Sequence, residues 1–289
     1  MHYLSFLLLL IFSTTAHADA SAFWATWSDG QAEVNGYQLV QPRYGQSRSG
    51  HAVLIYVTEP FSRSDAVKVD RYNPKNPDHF TALKLNHLQR FRTGVYDYSV
   101  MTSVFADPSR GFRPVKQTFT AQEWCGHVYE ETRWSGDRAA VRVDSYFEGE
   151  TTRETQVRSV VSEDAMWIIA RGLAAGGPGQ AIAGGATLGR SLLRRLRHQP
   201  IKTFESRFSW GSVETVQVPA GRFKVRPLTW SRGDGVNCTL RIEVASPYRV
   251  IGWSCSDGEK AELTGSARMP YWQRVSGPDE ALLKVLGLP

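Results

Sequence analysis

Two cysteines and one proline constrain this chain more than anything else in it. Cys238 and Cys255 stand on either side of Ser246-Pro247. In a hairpin centred on that dipeptide, the numbers of paired residues sum to 493, a condition the two cysteines meet. The same register sets Leu240 against Trp253 and Ile242 against Ile251. The period-2 alternation of strands puts all six side chains on one face, with Thr239, Arg241 and Glu243 on the other. With a two-residue loop the cysteines fall at a non-hydrogen-bonded site, where Cα atoms approach to about 4.5 Å. A disulfide accepts about 4.4–6.8 Å. A Cys238–Cys255 disulfide is expected, against the alternative of two reduced core cysteines. Pro247 cannot supply the positive φ of a type I′ turn, so a cis-Pro turn or a four-residue loop must keep the register.

Strand patterns recur along most of the chain. Gln31–Val40 and Gly50–Thr58 read as strands, the second a nearly continuous apolar run ended by Glu59-Pro60. Thr81–Phe91, Tyr96–Ala106, Arg113–Thr120, Glu123–Trp134 and Val141–Gly149 follow. After the middle segment come Phe204–Val218, Arg222–Trp230, Val236–Ala245, Tyr248–Cys255 and Glu259–Met269. Pro219-Ala220-Gly221 is a turn with glycine available for positive φ. Asp279–Leu286 reads as a short terminal helix. The expected fold is mostly β, with antiparallel curved sheets of half-barrel or sandwich type and short helices in the middle and at the C-terminus.

The first eighteen residues read as an address. They hold no Lys, Arg, Asp or Glu, and Leu4–Phe12 is an apolar run followed by Ala16-His17-Ala18, an A-x-A cleavage pattern. Nine residues fall short of the about 20 that span a bilayer. Four segments are therefore expected: a leader (1–18), an N-terminal β-rich half (19–161), a helical and Gly-rich connecting segment (162–203) and a C-terminal meander (204–289). An exported, periplasmic location is expected.

The connecting segment breaks the β pattern. Ser162-Glu163-Asp164 resembles an N-cap with acids in the first turn, opening a helix over Ala165–Leu173. Ala174–Gly189 carries six glycines and a proline. Leu188–His198 then reads as a basic amphipathic helix. Its leucines share one side and Arg190, Arg194, Arg195 and Arg197 crowd the rest. Residues 19–161 are neutral overall, so the whole net charge of +6 lies beyond them. Such a helix can lie on an anionic membrane surface or meet a partner; the alternative is a short capping helix docked by its leucines. Basicity confined to one half of an exported chain argues against nucleic acid.

Catalytic signatures are sparse. The chain has no G-x-S-x-G, H-E-x-x-H, Walker A or C-x-x-C motif. Cys125 and His127 are two apart, so on one strand thiolate and imidazole would face the same way. The other reading makes Cys125 a buried strand residue packed as a small hydrophobe. No metal site and no cofactor is expected.

Several segments carry a resemblance. Gly36-Tyr37-Gln38-Leu39, Pro42-Arg43-Tyr44-Gly45, Ala52–Glu59, Met101–Phe105 and Glu123–His127 resemble a family of secreted bacterial proteins of unassigned role. Some members carry the label "septum formation inhibitor Maf". Genuine Maf proteins are cytoplasmic nucleotide pyrophosphatases with a Ser-rich, twin-arginine start that has no counterpart here. Val218–Phe223 is similar to a turn in half-barrel envelope proteins of the LolA type. Neither resemblance brings catalytic residues. The expectation is a non-catalytic cell-envelope protein binding an apolar ligand, a lipid or an envelope partner. The alternative is an envelope enzyme using Cys125 and His127.

Overall fold

The computed structural model describes residues 20–175 and 185–289. The expected leader and most of the Gly-rich stretch lie outside the described residues. A short helix α1 (Ala20–Trp27) leads into β1 (Ala32–Arg43), β2 (Gln46–Ser62), a two-residue β3 (Val67–Lys68), β4 (His79–Thr93) and β5 (Tyr96–Asp107). Then come β6 (Arg113–Glu123), β7 (Gly126–Ser135), β8 (Arg138–Ser145), β9 (Thr152–Arg158) and β10 (Val161–Ser162). Helix α2 (Met166–Ala175), β11 (Gly185–Leu188) and α3 (Ser191–Leu196) form the middle. The second half holds β12 (Thr203–Trp210), β13 (Glu214–Val218), β14 (Gly221–Arg232), β15 (Asn237–Glu243), β16 (Val250–Cys255), β17 (Lys260–Met269) and helix α4 (Ala281–Val285).

All of these strands belong to one curved sheet that does not close. Hydrogen bonding runs from β10 through β11, β12, β14, β15, β16 and β17 to β1, then on through β2, β4, β5, β6, β7 and β8 to β9. Only β10–β11 is parallel among these pairings. The two β-rich halves thus meet along β1 and β17, with Ala32 opposite Met269 and Val40 opposite Lys260. The fold is the expected mostly antiparallel curved sheet with short helices.

Local differences have local causes. Strand β2 continues through Pro60 to Ser62 instead of ending at Glu59-Pro60, pairing Pro60 with Thr81 of β4. Its carbonyl still accepts from Val69 N–H, although its nitrogen cannot donate. The run Phe204–Val218 divides at 211–213 into β12 and β13, which occupy successive stretches of one β14 edge. Glu123 ends β6, and the next strand starts only at Gly126. The basic helix is shorter than expected, because Leu188 belongs to β11 and the helix begins at Ser191. Strand β9 was not legible: its exposed, polar sequence lacks an apolar face.

The cysteine hairpin forms as its spacing requires. Cys238 is opposite Cys255 and Leu240 opposite Trp253, the disulfide is closed, and Ser246-Pro247 is cis. One pairing differs. A bulge after Arg241 sets Ile242 against Val250 instead of Ile251, and both isoleucines remain buried.

Helix α2 fills the hollow of the sheet. Ser162 accepts from Ala165 N–H at 3.1 Å and starts the helix. Met166 through Leu173 are all buried, Arg171 among them through its paired hydrogen bonds to Glu33 at 2.7 and 3.0 Å. Trp167 packs edge-to-face on Trp230 and Trp253, with centroids 5.5 and 5.6 Å away. Its carbonyl accepts from Tyr56 Oη at 2.9 Å. On the outer surface, Gly36 of β1 faces Gly265 of β17. A Cβ at either would lie 2.2 Å from Leu286 O or 2.1 Å from Val285 O. The paired glycines let the end of α4 lie directly on the sheet.

Candidate functional site

The basic segment turns most of its charge inward. Arg190 grips Glu259 with two hydrogen bonds, of 2.7 and 2.9 Å, inside the core. Glu259 also accepts from Trp253 Nε1 at 2.7 Å. Arg195, buried to 5% exposure, bonds to Glu123 and sits 3.7 Å over the Phe147 ring. Arg194 pairs with buried Glu130. Glu163 and Asp164 accept the backbone N–H groups of Arg190 and Ser191, each at 2.9 Å. Leu192, Leu193 and Leu196 are buried, so α3 is docked by its leucines. Arg190, Arg194 and Arg195 are therefore not presented to a surface. Arg197, the exposed member of the four, stays at the end of the helix.

What the arginines hold in place is a rim. Strands β1, β4, β6 and β8 run the same way, so their C-terminal ends lie at one end of the sheet. The turns there are Tyr44-Gly45, Gly94-Val95, Trp124-Cys125 and the loop that starts at Tyr146. Each exposes a large side chain: Tyr44 at 58%, Val95 at 80%, Trp124 at 73% and Tyr146 at 70%. Tyr44 and Gly45 both have positive φ, 54° and 70°, the geometry of a tight two-residue hairpin turn.

The rim side chains touch one another. Tyr96 Oη donates to Tyr44 Oη at 3.0 Å, and the Tyr96 ring lies 6.4 Å from that of Trp124. Tyr146 lies against Gly126, where a Cβ would come within 2.5 Å of its ring. Beneath them, Phe91 and Tyr98 stack at 4.7 Å. Arg43 ties the group together, donating to Tyr98 Oη at 3.2 Å, Tyr44 Oη at 3.0 Å and Leu196 O at 2.5 Å. Hydrogen bonds from Tyr96 and Tyr98 lower the Tyr44 phenol from its ordinary value. Burial raises that of Tyr98. The sequence signal for this rim was available in Tyr44-Gly45, Gly94-Val95-Tyr96 and Trp124-Cys125-Gly126: an aromatic residue in or beside each glycine-containing turn.

Cys125 sits in one of those turns and is exposed, which corrects its reading as a buried strand cysteine. The β6–β7 pairing starts at Glu123 and Gly126. Cys125 is therefore the tip itself, and the i, i+2 rule that would have aligned it with His127 does not apply. His127 is exposed on β7. Neither side chain hydrogen-bonds to another among the described residues, so no group orients a nucleophile and base. Among these residues, no three His, Cys, Asp or Glu side chains come together as metal ligands would. No helix among them is long and apolar enough to cross a membrane.

No protein-family profile matches the sequence, and no curated protein matches it. Among solved structures, the crystal structure of a β-barrel-like protein of a domain of unknown function (DUF1849) from Brucella abortus is similar. The likeness covers 82% of this chain and 97% of that chain, at 11% identity and a TM-score of 0.48.

Proposed function

We propose that this chain is a non-catalytic, exported protein of the cell envelope that engages lipid at an anionic membrane surface through its aromatic rim. The observation that carries the reading is the row of exposed side chains on four hairpin tips at one end of the sheet. Tyr and Trp favour the headgroup zone, where an apolar body and a polar tip are both accommodated. Exposed Arg197 follows Leu196, whose carbonyl Arg43 holds at the rim, and the chain carries +6 overall. An apolar ligand inside the sheet is less suited, because α2 occupies that space.

Sedimentation with phosphatidylglycerol-containing vesicles tests the reading. Native protein should pellet with them, and less so as salt shortens the Debye length to about 8 Å at physiological ionic strength. The Tyr44→Ser/Tyr146→Ser variant should remain in the supernatant while keeping its thermal midpoint. Equal pelleting of variant and native protein would reject the rim as the contact.

A further inference from the structure

The outer face of the sheet, just below the rim, carries an unusual alignment. His51 on β2 lies opposite Arg90 on β4, and Arg90 opposite Ser99 on β5. Ser99 lies opposite Gln122 on β6, and Gln122 opposite His127 on β7. Five successive strands thus each place one polar residue in a single straight row across the sheet. Arg90, Ser99, Gln122 and His127 are exposed and His51 is half-buried. None of the five side chains makes a hydrogen bond or ion pair among the described residues. The next polar row along the strands, Asn86–Ser103–Thr118–Glu131, is different: there Ser103 donates to Asn86 at 2.7 Å, and Glu131 pairs with Lys116 of the row beyond at 3.1 Å.

The row lies in a trough. Two grooves, of about 670 and 700 Å³, meet at Ser99 and Gln122. Beside the row, Gly50 lets β2 approach β4 closely, since a Cβ there would stand 2.2 Å from Arg90 O. One bank holds the Trp124 ring and the Arg92–Asp97 ion pair. The other bank is a second cross-strand row, in which Leu88 faces Met101, Met101 faces Thr120, and Thr120 faces Tyr129. Hydrogen-bonding groups therefore run down the middle, with Trp124 and an ion pair on one side and Leu88 and Met101 on the other.

We infer that this trough binds an extended, neutral β-1,4-linked oligosaccharide laid across the strands. The spacing selects this occupant. Strand separation sets one polar side chain every 4.7–4.9 Å, about 19 Å for the row, close to the advance per sugar of such a chain. An extended peptide advances only about 3.2–3.4 Å per residue and a polyproline helix about 3.1 Å, so neither keeps step. Sugar hydroxyls both donate and accept, matching a row of imidazole, guanidinium, hydroxyl and amide groups. The electron-rich face of Trp124 suits the C–H face of a sugar ring. The five residues of the row are not rim tips, and Trp124 belongs to both surfaces.

Isothermal titration of the full chain with chitopentaose and with cellopentaose tests it. At least one sugar should bind saturably below millimolar concentration. Arg90→Ala/Gln122→Ala should weaken that binding by about tenfold or more, equivalent to about 1.4 kcal/mol, while vesicle pelleting and thermal midpoint stay as in native protein. Tyr44→Ser/Tyr146→Ser should bind sugar as native protein does. Absence of saturable binding of both sugars would overturn the inference. Undiminished binding by a folded Arg90→Ala/Gln122→Ala variant would overturn it equally.

Discussion

Arg190 and Glu259 form a two-pronged ion pair at the centre of the molecule, with guanidinium nitrogens 2.7 and 2.9 Å from the two carboxylate oxygens. The first residue comes from the connecting segment and the second from the turn before β17. Burial alone would lower the arginine's affinity for its proton, but Glu259 and Asp164 more than offset this. Removing one partner leaves the other charge buried and unpaired, at a cost of about 3–5 kcal/mol. Glu259→Gln should therefore lower the urea midpoint sharply. Arg190→Met/Glu259→Leu should recover much of that loss, and a double-mutant cycle measures the coupling.

The Cys238–Cys255 disulfide joins residues separated by 17 positions. Closing a loop of this size should contribute roughly 3 kcal/mol by restricting the unfolded chain. Cys238→Ala/Cys255→Ala should lose about that much in chemical denaturation. Thiol counting in denaturant should find one free thiol per native chain, and three would mean the bond does not form.

Cys125, the remaining cysteine, is exposed at a hairpin tip. A maleimide should label it quickly and stoichiometrically in folded protein. Cys125→Ser should shift stability by no more than about 0.5 kcal/mol, as exposed replacements do. Labelling that requires denaturant would contradict the placement of the turn.

His87 is buried between Trp167 and Trp253, with ring centroids 5.0 and 5.3 Å away. Burial, and then the nearby positive charge of Arg190, hold its imidazole well below the usual 6.5. The unfolded chain takes up a proton there near pH 6.5, and the folded chain does not. Stability from this group is complete above that pH and falls below it, by at most about 1.4 kcal/mol per pH unit. His51 acts in the same direction through partial burial and Arg90. Glu163 and Asp164 act oppositely: burial raises both, so the folded state holds their protons more tightly. Stability measured from pH 7 to 5 should fall less steeply for His87→Gln than for native protein. Equal slopes would assign the effect elsewhere.

The sequence was most informative where one pattern reinforced another. Alternation, turn residues and cysteine spacing together located β15, β16 and their register as far as Arg241. The bulge that shifts Ile242 left no mark, because Val250 and Ile251 are equally apolar. The leucines of α3 announced a docked helix, but its arginines could not announce their partners. Glu259, Glu123 and Glu130 come from turns and strands far along the chain. A buried arginine is distinguished from a solvated one only by tertiary contacts. The rim was missed for a related reason: its aromatics are local to each turn, and only the common direction of β1, β4, β6 and β8 brings them together.

The pairing of β1 with β17 also sets the order in which the molecule can be completed. Gln38 bonds across this seam to Glu262, 224 positions later. As the chain emerges from its N-terminus, β1 and β2 can zip at once, but the far edge of β1 stays open until nearly everything else has been made. That edge is a template for mispairing. Assembly dominated by such distant partners is intrinsically slow. Truncation from the C-terminus should thus reach well beyond the missing residues, leaving the first half insoluble although most of its own strands are intact.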